Sequence, residues 1–408
     1  MNPLYLSGFG VSLNVDGARL IVKDGFLEPD STQGTHEFQP RRMPYDSVVI
    51  DGQTGTISIT AIKWLMRHDV PLFVLDYNGT LLSSTLPREP VNGPLKIAQI
   101  EAYKDQEKRF YIAKKLLEAK AQRTLDVMRW LDARYGRFSD VQANFDMESE
   151  RLEQCQSLPR LLSIEGRIAD IYWRHLQQVL PVKFGFMSRM HETHQMNASD
   201  PVNVLLNYGY AILESQCRKA LNSVGLEPAI GFLHEARQTK SPLVYDLQEP
   251  NRWLVDTTVI SCLESGCFGK KGFYRMDNYV LRLRPEAAGK LIDALRIKFN
   301  SSVRYRGKLY SCDTVIRLKA QELANYVLGR RTDLCFDEPR PALGRTDSEA
   351  VRDLILSLTT AQARRQGIGK GTLHVLRKHA ASENPFKVYT KVSTRLRYHP
   401  AWNQYRSG

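Results

Sequence analysis

Cysteine is scarce in this chain, with six in 408 residues at positions 155, 217, 262, 267, 312 and 335. None shows the Cys-x-x-Cys spacing, and so few cannot staple a chain of this length. A disulfide scaffold and a cysteine-built zinc site are therefore disfavoured, and buried thiols are expected. Long apolar runs are missing too. With no stretch of about 18 apolar residues there is no candidate membrane span, and the amino terminus lacks the basic, apolar, small-residue order of a signal peptide. A cytoplasmic protein that does not bind membrane is the expectation. Low-complexity tracts are also absent, so the charge of the chain does not come from a disordered tail.

What is present is positive charge: 57 Lys and Arg against 44 Asp and Glu, a formal +13. A surface of this sign attracts polyanions, most commonly DNA or RNA. From residue 341 to the end, twelve basic residues stand against four acids, so about three fifths of the net charge lies in the last sixth of the chain.

The pattern along the chain divides it in three. Leu4 and Leu6, then Val11, Leu13 and Val15, alternate as strands do, and Asp16-Gly17 supplies a tight turn. Further strands are expected over 47–50, 56–59, 70–75 and 81–84, with a helix over 61–67 between them. Pro87, Pro90, Gly93 and Pro94 break periodic structure. Beyond them, Ala, Leu, Lys, Glu and Arg recur at helical spacing. The expected organisation is α+β and multidomain: a β-rich domain over 1–92, a mainly helical domain over 96–335, and a small basic helix-turn-helix over 345–398. In that last segment Ala363, Gly367, Leu373 and Leu376 fall at helix-turn-helix spacing. Arg364, Arg365, Lys370, Thr372, His374, Arg377 and Lys378 are the candidates to reach phosphates and base edges, an alternative being a helical hairpin with a solvated basic face.

Chemistry is most legible in LLSIEGRIADIYWRHL, residues 161–176. On a helical wheel Leu161, Leu162, Ile164, Ile168, Ala169, Ile171, Tyr172, Trp173 and Leu176 share one arc, and Ser163, Arg167, Asp170 and Arg174 the opposite one. Glu165 falls in the middle of the apolar arc. A carboxylate there must be protonated, paired with a cation such as an arginine, or bound to a metal. His175 reads as a core histidine. Further on, His234 follows an apolar run, and Asp246 and Glu249 stand three apart. Glutamate, histidine and a further carboxylate form an oxygen and nitrogen donor set suited to Mg²⁺ or Mn²⁺. Asp246-x-x-Glu249 ahead of an apolar run is equally a variant of the helix capping box, with Pro250 suited to a first helical turn.

IEGRIADIYW, DPVNVLLNYGYAIL, EPAIGFLH and SPLVYDLQEPNR, in that order, resemble the CRISPR-associated Cas1 integrases. The amino-terminal VVIDGQTGTISITAIKWLMRHDVPLFVLDYNGTLL is similar to that family's β-domain, so the resemblance covers about residues 1–335. It implies a β-sandwich followed by a helical catalytic domain, and a divalent metal held by Glu165, His234 and Glu249. It also implies that Asp246 borders the metal and that Tyr208 lies beside the DNA at that site. The implied activity is endonuclease and integrase chemistry on double-stranded and branched DNA, joining 3′-hydroxyl ends to a target as in spacer acquisition. The implied partners are a second copy of the chain through the β-domain and, in a CRISPR system, Cas2. The basic carboxy-terminal extension departs from many members and resembles the layout of the related casposases, which are transposon integrases. A non-catalytic, architectural DNA-binding protein is the alternative of another class.

Overall fold

The computed structural model describes residues 2–26, 34–52, 54–76, 79–87, 92–135, 139–189, 198, 200–235, 241–269, 272–275, 281–336, 355–356, 358–360, 363 and 368–380. The chain divides into two compact units: Met1–Arg129 with Arg137–Glu338, and Trp130–Gly136 with Pro339–Gly408.

The first unit begins with strands. One four-stranded sheet has the order β1 (Pro3–Gly8), β5 (Ser47–Gly52), β7 (Leu72–Leu75), β8 (Leu81–Thr85). The other has the order β4 (Thr35–Phe38), β3 (Arg19–Lys23), β2 (Val11–Asp16), β6 (Gly55–Ile57). The expected turn closes the antiparallel β2–β3 hairpin, where Asp16 pairs with Arg19 and both Gly17 and Ala18 have positive φ. That is the twist a two-residue hairpin demands. β3 with β4 and β7 with β8 are antiparallel too, whereas β1 with β5, β5 with β7 and β2 with β6 pair in parallel. Leu4 and Leu6 of β1, Leu13 of β2, Leu20 and Val22 of β3, and Val48 and Ile50 of β5 are buried in one core. Trp64 and Leu65 of helix α1 (Ile59–Arg67) share it. The two sheets are thus sandwiched on alternate side chains.

Helices dominate thereafter: α2 (Gly93–Lys104), α3 (Gln106–Tyr135), α4 (Ser139–Glu153), α5 (Leu158–Val179), α6 (Pro201–Val224), α7 (Pro242–Gln248), α8 (Trp253–Glu264), α9 (Pro285–Asn300) and α10 (Cys312–Val327). Three features bound α6: the Asp200 side chain accepts the Asn203 N–H, Pro201 occupies its first turn, and Gly225 at φ 86° ends it. Two thirds of α6 is buried, which makes it the central element against which α7 and α8 pack. The six cysteines are free, four of them buried. Among the described residues no helix is long and apolar enough to cross a membrane.

In the second unit, helix α11 (Lys370–Ala380) coincides with the expected second helix of the basic module. Leu373 and Leu376 are buried, as are Ile355, Leu358, Ala363 and Ile368. Arg364 and Arg365 lie outside the described residues.

Candidate metal-dependent active site

The expected helix over 161–176 is observed as α5, and its buried positions are Leu161, Ile164, Ile168, Tyr172, His175, Leu176 and Val179. This stripe is narrower than the sequence arc. Leu162 is 36% exposed, and the Glu165 side chain, at 27%, stands at the margin of the stripe. Its partner is a lysine: Nζ of Lys120, from α3, contacts Oε1 of Glu165 and lies 2.7 Å from Oε2 of Glu249. One buried ammonium thus bridges two of the expected site carboxylates.

Glu249 is brought there by an interruption. Pro250 has no N–H to continue α7, so the chain makes a 3-10 turn over Glu249–Asn251 before α8 begins. The turn is fixed from three sides: Asn251 Nδ2 donates to the Leu247 carbonyl at 2.7 Å, Lys319 Nζ donates to Asn251 Oδ1 at 3.0 Å, and Gln248 Nε2 donates to the Tyr210 carbonyl at 2.8 Å. Burial alone would raise the Glu249 carboxyl, but Arg252, Lys120 and His234 outweigh it and hold it at about 2.

Asp246 has a role that neither the cap nor simple proximity describes. It is wholly buried inside α7, and its carboxylate accepts the backbone N–H groups of Phe232 (2.5 Å), Leu233 (3.1 Å) and His234 (3.0 Å). Its Oδ1 also lies 2.7 Å from His234 Nδ1. The capping reading is therefore set aside. Asp246 anchors the loop that carries His234 and sets the orientation of the imidazole, leaving Nε2 as the nitrogen available for a ligand. Burial opposes protonation of His234, yet the hydrogen bond and charge of Asp246, with Glu249, raise its pKa above the usual value. Close approach requires Gly231, since a Cβ there would lie 2.8 Å from Pro242 Cβ and 2.9 Å from Asp246 Oδ2.

Tyr208 is not brought to these groups. Its hydroxyl donates to Asp51 Oδ2 of β5 at 3.1 Å, and the Tyr5 hydroxyl donates to the same oxygen. Burial raises the Asp51 carboxyl to about 6, against the lowering effect of both tyrosines. Tyr210, two residues on, lines a small cavity with Lys120, Thr124, Glu249, Arg252 and Asp256. Asp256 is buried and accepts the hydroxyls of Tyr172 (3.0 Å) and Tyr210 (2.5 Å). The Arg252 guanidinium stacks 4.7 Å from the Tyr210 ring centre. Lys120, Tyr210, Arg252 and Asp256 were missed from sequence, although Tyr210 closes the NYGY motif and Arg252 follows Glu249 by three.

The donor chemistry fits a divalent cation in part. Two carboxylates already share one cation, and Lys120 Nζ lies off the line of an aligned hydrogen bond to Glu249 Oε2. That buried oxygen thus keeps the capacity for a metal bond. Among the described residues, no group of three His, Cys, Asp or Glu side chains stands close enough to hold a metal.

In the second unit, Lys370, Thr372, His374 and Lys378 are exposed on α11. Arg377 is not free for phosphate: its Nε donates to the Ile355 carbonyl at 3.4 Å and its Nη2 donates to the Leu358 carbonyl.

Comparison with known proteins adds to this geometry. The family model described as CRISPR associated protein Cas1 matches residues 4–296. A CRISPR-associated endonuclease Cas1 of Archaeoglobus fulgidus is 29% identical over 346 residues, 80% of this chain and 97% of its own. One from Thermus thermophilus is 26% identical over 328 residues, 79% of this chain and 95% of its own. Among solved structures, a casposase bound to integration product superposes with a TM-score of 0.82 at 39% identity, over 88% of this chain and 99% of that one. A Cas1 protein from Thermotoga maritima shares the fold at a TM-score of 0.67 and 19% identity, over 80% of this chain and 97% of its own.

Proposed function

Because this chain belongs to the CRISPR-associated Cas1 family of metal-dependent endonucleases and integrases, we propose that it joins 3′-hydroxyl DNA ends into a DNA target as a casposase does. The observation that carries the reading is the carboxylate pair Glu165 and Glu249 on one buried cation, beside a histidine oriented by a buried aspartate. Glu165, Glu249 and His234 would hold Mg²⁺ or Mn²⁺. When bound, that ion polarises the scissile phosphate and acidifies the attacking hydroxyl.

This chain's own residues supply the rest. In strand transfer the 3′ oxygen of one end forms a bond to phosphorus while the bond to the target's 3′ oxygen breaks. The attacking hydroxyl loses its proton and the leaving oxygen gains one. Arg252, held against Glu249 and the Tyr210 ring, and Lys120 supply positive charge where the phosphate accumulates negative charge. Asp246 keeps one His234 nitrogen committed and the other available. With water in place of the hydroxyl the same site cuts DNA, and with a branched substrate it runs in reverse.

The casposase reading is favoured over spacer acquisition by the match to a casposase bound to integration product, which covers 88% of this chain against 80% for the Archaeoglobus relative. The exposed Lys370, Thr372, His374 and Lys378 of α11 fit a DNA contact outside the catalytic region. The proposed partners are double-stranded and branched DNA and a second copy of the chain through residues 1–92. Cas2 enters only if the chain works in a CRISPR system.

The test is incorporation of labelled 3′-hydroxyl donor ends into supercoiled DNA by the protein alone with Mn²⁺. Chelator, Glu165→Gln, Glu249→Gln and His234→Ala are each expected to abolish joining and leave most DNA binding. Retained joining in any of these variants refutes the site, and joining that requires added Cas2 refutes the casposase reading.

A further inference from the structure

Lys120 stands where a cation is needed. Among the described residues its ammonium is the one that contacts both Glu165 and Glu249, and its side chain is only 9% exposed. The residue sits well inside α3, a 30-residue helix, so the ammonium is delivered by rigid backbone. Two neighbouring carboxylates that are both ionised repel each other, and the bridging ammonium removes that repulsion.

Without any metal, Glu165 and Glu249 already face two cations, Lys120 and Arg252, whose Nε lies 3.4 Å from Glu249 Oε1. Adding a divalent ion with Lys120 still in place would crowd two cations against the same pair of carboxylates in a half-buried site. Coulomb repulsion at that separation is unfavourable at any protein dielectric.

We propose that Lys120 is a tethered counter-ion that occupies the carboxylate pair in the metal-free protein and is displaced when the divalent ion enters. Metal loading and the release of an ammonium beside the scissile phosphate are then a single event. The displaced side chain has four rotatable bonds, and the cavity lined by Thr124, Tyr210 and Asp256 begins next to it. The inference rests on the metal reading of Glu165, His234 and Glu249.

The experiment uses the full chain without DNA. Metal-free protein is treated with an amine-acetylating reagent, with and without Mn²⁺, and acetylation at Lys120 is measured by mass spectrometry against exposed Lys308. Protection without metal and several-fold faster labelling with Mn²⁺ are expected. In parallel, Mn²⁺ binding is followed by electron paramagnetic resonance for wild type, Lys120→Met and Glu165→Gln. Lys120→Met is expected to bind Mn²⁺ roughly tenfold more tightly, equivalent to about 1.4 kcal/mol. It is also expected to melt lower than wild type when metal-free and to regain stability with Mn²⁺.

Mn²⁺ bound by wild type with Lys120 labelling unchanged overturns the displacement. Weaker or equal Mn²⁺ binding by Lys120→Met does the same. If that variant fails to fold, the wild-type labelling alone decides. Mn²⁺ bound by none of the proteins overturns the metal reading itself, an outcome distinct from the other two.

Discussion

Asp246→Ala tests whether one buried carboxylate builds the site. The change removes four contacts at once: three backbone N–H groups at 2.5, 3.1 and 3.0 Å and the His234 ring nitrogen at 2.7 Å. Phe232 and Leu233 are fully buried, so their amides have no water to turn to. Each stranded buried donor costs about 1–3 kcal/mol. Because the loop can relax, the sum is nearer the ~3–5 kcal/mol typical of breaking a buried charged pair. For a unit of this size that lowers Tm by about 4–7 °C. Asp246→Asn, which keeps one acceptor oxygen, is expected to lose about half as much. A pH-dependent part rides on this loss. His234 has its pKa raised in the folded protein, so its contribution is fully present below the unfolded value and is lost as pH rises through the folded one. The gap between wild type and Asp246→Ala is therefore widest below about pH 6.5 and narrows above it. The imidazole is 40% exposed, so solvent screening keeps this part under ~1 kcal/mol. Calorimetry across pH, with hydrogen exchange at the 232–234 amides, measures both parts. A Tm within about 1 °C of wild type, with those amides still protected, refutes the anchor. A gap that widens with rising pH refutes the ion pair.

Gly231→Ala forces its new Cβ to within 2.9 Å of Asp246 Oδ2, so it is expected to cost about 1–3 kcal/mol by overpacking and to weaken Mn²⁺ binding; unchanged binding would show that the loop tolerates the shift. The Asp51 carboxyl sits at about 6, so folding favours its neutral form and wild-type stability falls as pH rises from about 4 to 6. Asp51→Asn should therefore be more stable than wild type above pH 6 by at most ~3 kcal/mol, with no advantage near pH 4, and an equal advantage at both would contradict the burial argument. In DNA-binding titrations, Lys370→Ala and Lys378→Ala are each expected to reduce the slope of log K against log salt by about 0.9. Arg377→Ala should leave that slope alone and destabilise the second unit, because its guanidinium serves the Ile355 and Leu358 carbonyls; a slope change as large as that of the lysines would return it to the DNA face.

The sequence located strands and helices better than it paired them. Turn residues report local chain reversal, so Asp16-Gly17 foretold the β2–β3 hairpin. Parallel pairings such as Pro3 with Ser47 close over long separations and leave no signal in the residues between. The same asymmetry governs the site. Glu165 announced itself because helical periodicity is local, and even so the wheel drew the buried face too wide. Lys120 could not be seen, since lysine in an Ala- and Glu-rich helix is usually solvated, and it is set apart only by a partner 45 positions away.

Asp246 and Tyr208 show what kind of information is missing. For Asp246 the spacing to Glu249 was compatible with a cap, a metal neighbour or neither. What decides is that backbone 12 to 14 residues upstream turns its N–H groups onto the carboxylate. For Tyr208 and Tyr210 the choice rests on which side of α6 meets β5 and which meets α8. The one polar stripe of α6, Asn203, Asn207, Glu214 and Arg218, marks its least buried side but does not say which neighbour each buried side meets. The two tyrosines differ by about 200° on the wheel, so one reaches Asp51 while the other reaches Asp256. Where a site is assembled from buried helices, donor types can be read from the sequence, but the counter-ions and anchors that tune those donors follow from packing.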